Sequence, residues 1–273
     1  MKLVLFSKHF PKDSLDDFLR RGQALKLDGF DLAVRPGLGV TPDNAAEALP
    51  LWVKSLAAGG LSVPMVTGPA DLVDAGMPVA KAILSAMDKS GVRRLKLGYM
   101  HFDPKKHASF DAALGESRAR LKAWEKLGRE YGVRILYHTH SQTGGAWYLG
   151  ANASAQRLLF EGLDPEWIGT YLDAGHLEAE GEPFELACAI AGPYLAAVGV
   201  KDVVKAKNAD GSNTKVWAQA GRGMVSWPSV AATLRNLAFE GPVSIHAEYQ
   251  TRSEEEFRGA LPAEAAFFRE LFQ

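Results

Sequence analysis

Tyr171-Leu172-Asp173-Ala174-Gly175-His176 is the stretch on which the fold and the chemistry of this chain both turn. An apolar strand runs into an acidic residue, and a histidine follows three positions later. A carboxylate at a strand end can hold a metal, and a histidine just beyond it can touch a substrate gripped by that metal. The same spacing fits a plain strand-to-helix turn in which Asp173 caps the next element and His176 is solvated. The surrounding sequence has to decide.

Short apolar runs alternate with amphipathic segments on both sides of this stretch. Strands are expected at 3–7, 29–35, 61–67, 94–100, 133–140, 167–173, 196–202 and 243–249. Apolar residues at helical spacing mark 14–25, 45–58, 80–89, 116–131, 154–161, 183–191, 228–239 and 263–271. Asp13 and Ser14, Thr41-Pro42-Asp43 and Trp227-Pro228 are start signals for three of these helices. Strands that alternate with helices pair in parallel, because each helix returns the chain to the same end of the sheet. Eight such units in about 250 residues are the size of a closed barrel, so the expected fold is α/β, a single (β/α)8 TIM barrel over residues 1–273. A doubly wound open sheet would carry a Gly-rich turn after an early strand, whereas the first strand here leads into Lys8-His9-Phe10-Pro11.

Composition narrows the function. The hydrophobic fraction is 47%, enough for a sizeable core, and no apolar run approaches the roughly 18 residues of a membrane span. Met1–Ser7 lacks the long apolar region and small-residue cleavage site of a signal peptide. Cys188 is the only cysteine, so no disulfide forms within the chain, which fits the cytoplasm. The net charge is −1 and the basic residues are dispersed, which does not support a nucleic-acid surface.

In a parallel barrel the site lies at the C-terminal ends of the strands. Here they end in Arg35-Pro36-Gly37, His101-Phe102-Asp103, His138-Thr139-His140, Asp173, Lys201-Asp202 and His246-Ala247-Glu248. Side chains two apart on a strand share a face, so His138 and His140 point inward together, as do His246 and Glu248. Imidazoles and carboxylates from three strands are the donors that bind Mn²⁺, Mg²⁺ or Zn²⁺. For each histidine alone, a hydrogen-bonded interior residue is the alternative. Glu248 is harder to explain that way, since a carboxylate on an apolar strand is rarely buried without a partner. Lys201 points inward and Asp202 outward; the lysine could hold a substrate oxygen or a salt bridge. Arg35 could orient an acidic or phosphorylated substrate or cap the sheet rim. Trp147, Trp217 and Trp227 could stack on a sugar or lie as lids over the rim. Gly221-Arg222-Gly223 is a tight loop without the strand-turn-helix frame of a phosphate site.

With these residues placed, the chain resembles the xylose isomerase-like TIM-barrel superfamily of sugar isomerases and epimerases, inosose dehydratases and endonuclease IV. The likeness runs nearly end to end. It rests on Asp28-Gly29-Phe30-Asp31, Val34-Arg35-Pro36-Gly37, Tyr137-His138-Thr139-His140, Asp173-Ala174-Gly175-His176, Lys201-Asp202, Gly221-Arg222-Gly223-Met224 and His246-Ala247-Glu248-Tyr249. The resemblance implies a divalent metal held by a glutamate, an aspartate, a histidine and a glutamate on strands five to eight. Asp173 and Glu248 match that pattern, and His176 matches a substrate-contacting residue. His138 stands in place of the strand-five glutamate, and Gly199 in place of the strand-seven histidine.

The expectation that follows is metal-assisted proton transfer next to a carbonyl of a carbohydrate or polyol ketone, that is, an isomerase or epimerase. His138, Asp173 and Glu248 are the expected metal ligands. Glu248, His140 and Lys201 are the expected catalytic groups, and His176, Arg35 and His246 the substrate contacts. The partner is a small sugar or polyol, with no nucleic acid or membrane; self-association is left open. A lyase or dehydratase acting on a keto-sugar or keto-inositol would use almost the same site, and a metal-free sugar-binding protein is the rival outside catalysis.

Overall fold

The computed structural model describes residues 1–142, 145 and 147–272; Gln273, the end of the expected domain, lies outside the described residues. Eight parallel strands close into a barrel: β1 (Lys2–Phe6), β2 (Gly29–Ala33), β3 (Ser62–Thr67), β4 (Arg94–Lys96), β5 (Arg134–His138), β6 (Ile168–Asp173), β7 (Leu195–Val200) and β8 (Pro242–Ile245), with β8 paired back onto β1. Among the described residues nine α-helices surround it: α1 (Leu15–Ala24), α2 (Ala45–Ala58), α3 (Pro78–Ser90), α4 (Phe110–Tyr131), α5 (Ala153–Leu159), α6 (Ala174–Glu180), α7 (Phe184–Ala191), α8 (Trp227–Asn236) and α9 (Glu254–Phe272). None is long and apolar enough to cross a membrane.

Local chemistry sets several of these boundaries. Ser14 accepts the Asp17 N–H while Asp17 accepts from the Ser14 backbone, a capping box that starts α1. Ser109 caps α4 six residues ahead of the expected start. Pro262 lies inside α9 instead of near its start, so that helix begins earlier than its apolar spacing suggests. The helix α6 was not expected; it starts directly at Asp173, whose side chain accepts the His176 N–H. The capping role weighed for Asp173 is therefore present, but His176 is only 1% exposed and not solvated.

All eight expected strands are present, and several stop short of their expected ends, β2 at Ala33, β4 at Lys96, β5 at His138 and β8 at Ile245. Beyond these points the chain stays largely buried but turns into the βα loops. Ala247 takes a left-handed φ of 46°, an uncommon conformation for a residue with a side chain. His246 and Glu248, on either side of that turn, both line the cavity at the mouth, as their spacing led one to expect. Met65, Leu136, Tyr171 and Ala197 plug the barrel, while a larger apolar layer lies between strands and helices. Two antiparallel ribbons stand over the C-terminal mouth, His101–Phe102 against Trp147–Tyr148 and Asp202–Lys207 against Asn213–Ala218.

Candidate active site

A cavity opens at the C-terminal mouth, and the expected residues Arg35, His138, His140, His176, Lys201, His246 and Glu248 all line it. Strand register explains the grouping. Asp173 pairs with Gly199 across β6 and β7, Gly199 pairs with Ser244 of β8, and His246 lies two residues beyond Ser244. His138, Asp173 and His246 thereby form a buried cluster whose ligand atoms lie within 4.8 Å of one another. Asp173 Oδ2 is 3.4 Å from His138 Nε2 and 2.9 Å from His246 Nδ1, yet neither contact has the alignment of a hydrogen bond.

The hydrogen bonds around the cluster account for that orphaned oxygen. The Tyr171 hydroxyl donates to Asp31 Oδ2 at 3.1 Å, so its oxygen can accept the His246 Nε2 proton at 2.7 Å. In the tautomer that donates from Nε2, the His246 ring presents its Nδ1 lone pair to the Asp173 carboxylate. Tyr99 meets Nδ1 of His138 at 3.2 Å, and in the tautomer whose Nδ1–H donates to that hydroxyl the Nε2 lone pair faces Asp173. Lone pairs facing a carboxylate repel each other, and a divalent cation among them would turn repulsion into coordination. The donor set fits such an ion.

Gly199 has a structural reason in this arrangement. A Cβ there would lie 2.8 Å from Asp173 Oδ2 and 3.0 Å from His246 Cε1. The missing side chain is the space that His246 enters, so an imidazole from strand eight occupies the region where the family pattern implies one from strand seven. His246, expected as a substrate contact, is thus a member of the cluster.

Glu248 lies elsewhere in the mouth. Its two oxygens pair with Lys8 and with Lys201. Burial opposes its ionisation, but Lys201 and then Lys8 outweigh burial and hold the carboxyl well below the usual range. Asp173 behaves alike: burial would raise it, and Lys201 with the neighbouring histidines brings it down. Lys201 Nζ sits 2.7 Å from His176 Nε2 and 4.1 Å from the Trp217 ring centroid. The Lys201 ammonium donates to His176 Nε2, and the Ser141 hydroxyl meets the ring's Nδ1 at 3.0 Å. Lys201 is therefore the N–H donor at this spot of the cavity wall, with His176 as its acceptor. His140 stacks on Tyr148 with 4.3 Å between centroids, and burial lowers its pKa to about 4.

Among the lining residues that sequence reasoning missed are Lys8, Asp31, Lys96, Tyr99 and Tyr171. Asp31 and Lys96 carried a usable signal, a charge within an apolar strand, which is the criterion that selected Glu248. Asp202 points out of the cavity, as expected. Trp227 is a buried rim residue whose Nε1 donates to Asp202 at 2.9 Å.

The chain belongs to the xylose isomerase-like TIM-barrel family, whose model matches residues 19–271. No curated protein matches the chain in sequence. Solved structures of similar fold include a D-psicose 3-epimerase with D-tagatose from Clostridium cellulolyticum H10, 14% identical, with 100% of each chain covered and a TM-score of 0.74. A 3-keto-D-glucoside 4-epimerase from E. coli is 17% identical over 99% of each chain, with a TM-score of 0.74. A probable 3-DHS dehydratase from Bacillus anthracis is 15% identical, over 98% of this chain and 99% of that one, with a TM-score of 0.73. At these identities the likeness establishes the barrel.

Proposed function

We propose that this chain is a sugar isomerase or epimerase that moves a proton next to the carbonyl of a carbohydrate or polyol ketone, with a divalent cation held by His138, Asp173 and His246. The observation that carries this reading is the Asp173 oxygen, fully buried at the barrel mouth between two imidazole nitrogens and without a hydrogen bond. A cation bound there would stabilise the negative charge that builds on the substrate oxygen when the neighbouring proton leaves. Two imidazoles with one carboxylate suit Zn²⁺ or Mn²⁺ better than Mg²⁺, which prefers oxygen donors.

The chain's own residues supply the rest. Glu248 is kept ionised by Lys8 and Lys201 and faces the cavity, where it serves as the base. His140 stays uncharged at neutral pH, since burial lowers its pKa to about 4, and is the second group able to take the proton. Lys201, oriented by His176, directs its remaining N–H donors at a substrate hydroxyl or carbonyl oxygen. Tyr171 and Asp31 hold the His246 ring from behind.

The test is proton exchange followed by NMR in deuterated water, with a panel of ketoses and Mn²⁺ or Zn²⁺. Deuterium should enter at the carbon next to the carbonyl with the carbon skeleton and oxygen content conserved, and Glu248→Gln should abolish that exchange. Loss of water from the product would instead identify a dehydratase. A purified protein that takes up no Mn²⁺ or Zn²⁺ and shows no thermal shift with either would sink the metal assignment.

A further inference from the structure

The barrel mouth is charged unevenly. Lys8, Arg35, Lys96 and Lys201 line the cavity against only two lining carboxylates, Asp31 and Glu248. Glu248 is already shared by Lys8 and Lys201. Asp31 accepts from Thr67 at 2.7 Å, Tyr171 at 3.1 Å and Ser244 at 3.2 Å, and burial raises its carboxyl toward the neutral form. Lys96 and Arg35 are left over.

Lys96 is the more telling of the two. It is 3% exposed, and its Nζ makes no hydrogen bond or ion pair among the described residues, resting 3.9 Å from the Tyr99 ring centroid. Arg35 donates Nε to the Gly68 carbonyl at 3.2 Å, while its terminal nitrogens meet no acceptor among the described residues. Burial pushes an unpartnered Lys96 well toward the neutral amine, and an acidic group on the ligand would favour the ammonium and pair with it. The two cations come from β4, which pairs with the His138 strand, and from the end of β2, further round the barrel from the His138, Asp173 and His246 cluster.

We propose that the substrate is a sugar acid, whose carboxylate is held by Lys96 and Arg35 while its carbonyl end faces the cluster. A phosphate ester is disfavoured on the structure. In barrels of this kind phosphates commonly sit on backbone N–H groups of the loops after strands seven and eight. Here the carboxylate of Asp202 already takes the N–H groups of Gly221, Gly223 and Val225, at 3.0, 3.0 and 3.1 Å. What remains is a side-chain pair, and the planar Arg35 fork matches a carboxylate.

This proposal rests on the ketose reading above, and its test measures binding without turnover, so the two can fail separately. Calorimetric titrations of the protein, with and without Mn²⁺, compare D-fructose with D-fructuronate and D-tagatose with D-tagaturonate, and add D-fructose 6-phosphate. At least one keto acid should bind ten-fold or more tighter than its neutral partner, and the phosphate should not match it. Lys96→Met should collapse that acid-to-neutral ratio below three-fold. Arg35→Met, at the half-exposed rim, repeats the measurement should the buried substitution impair folding. Equal or equally undetectable binding of acid and neutral sugars would overturn the proposal. So would a preference that both variants leave intact, or a phosphate that binds as tightly as the acid. Acid preference without proton exchange would unseat only the isomerase reading.

Discussion

Asp173 and Asp202 stand at the ends of neighbouring barrel strands, and both are fully buried. Their surroundings differ in one respect. Asp202 accepts from Val203 N at 2.9 Å and Val225 N at 3.1 Å on Oδ1, and from Gly221 N, Gly223 N and Trp227 Nε1 at 3.0, 3.0 and 2.9 Å on Oδ2. Asp173 accepts one hydrogen bond, from His176 N at 2.9 Å on Oδ1, and its Oδ2 faces His138, His246 and Lys201 with none. The Asp202 carboxylate is consumed in tying the Gly221–Val225 loop to the end of β7. The Asp173 carboxylate is left open on the side that faces the cavity's imidazoles. Burial does not tell a structural carboxylate from a chemical one; the occupancy of its lone pairs does.

Substituting each aspartate in turn should produce opposite phenotypes. Asp173→Asn should lose cation uptake and cut proton exchange by about 1000-fold, with a thermal midpoint close to that of the parent. Asp202→Asn places an amide NH₂ against some of the five donors, and should cost about 3 kcal/mol of stability while the cation content stays near one per chain. Elemental analysis, NMR exchange and denaturant unfolding measure the three quantities. If Asp202→Asn lost the cation while keeping its stability, the comparison would be wrong.

Gly199 offers a gentler way to disturb the open side. An alanine Cβ would press on Asp173 Oδ2 at 2.8 Å and on His246 Cε1 and Nε2 at 3.0 and 3.2 Å, so the imidazole has to move. Gly199→Ala should weaken Mn²⁺ or Zn²⁺ binding by about 10- to 100-fold, read by competition with a chromophoric chelator. Unchanged affinity would mean that His246 is not a ligand.

Most of the barrel was legible because the apolar period switches from strand to helix in every unit, which needs no knowledge of tertiary contacts. Strand ends were less legible, since Val34, Leu97, Met100 and Thr139 stay buried beneath the mouth although the ladder has already ended. Hydropathy records burial and not pairing. The ribbon from Asp202 to Ala218 was missed although Asp210-Gly211 is a recognisable turn signal, because its strands are mostly exposed and polar. Within the site, the inward-facing histidines and Asp173 could be read from spacing. The exchange of partners between His246 and Glu248 could not, because it depends on the left-handed turn at Ala247 and on the space left by Gly199. Lys96 was legible in principle, as a charge inside Arg94-Leu95-Lys96-Leu97, and was passed over because it does not sit at an obvious strand end.

A third buried carboxylate sharpens the contrast from the other side. Glu264 on α9 is 4% exposed and, unlike Asp202, has no well-formed hydrogen bond to either oxygen; unlike Asp173, it has no cation among its neighbours. Burial, with the charge of Asp202 adding to it, raises its pKa from the ordinary 4.5 to about 7. The folded protein therefore holds an extra proton between these two values. The stability that this group contributes is complete below about 4.5 and is lost as the pH rises through about 7. Asp173 and Glu248, held low, act in the opposite sense: their contribution is present above the ordinary carboxylate pKa and is lost as the pH falls. Glu264→Gln should thus match the parent at pH 4 and exceed it by about 3 kcal/mol at pH 8. Thermal or denaturant unfolding at the two pH values resolves a difference of that size. A variant no more stable than the parent at pH 8 would show that Glu264 ionises in the fold without penalty, and that a carboxylate there has partners this comparison denies it.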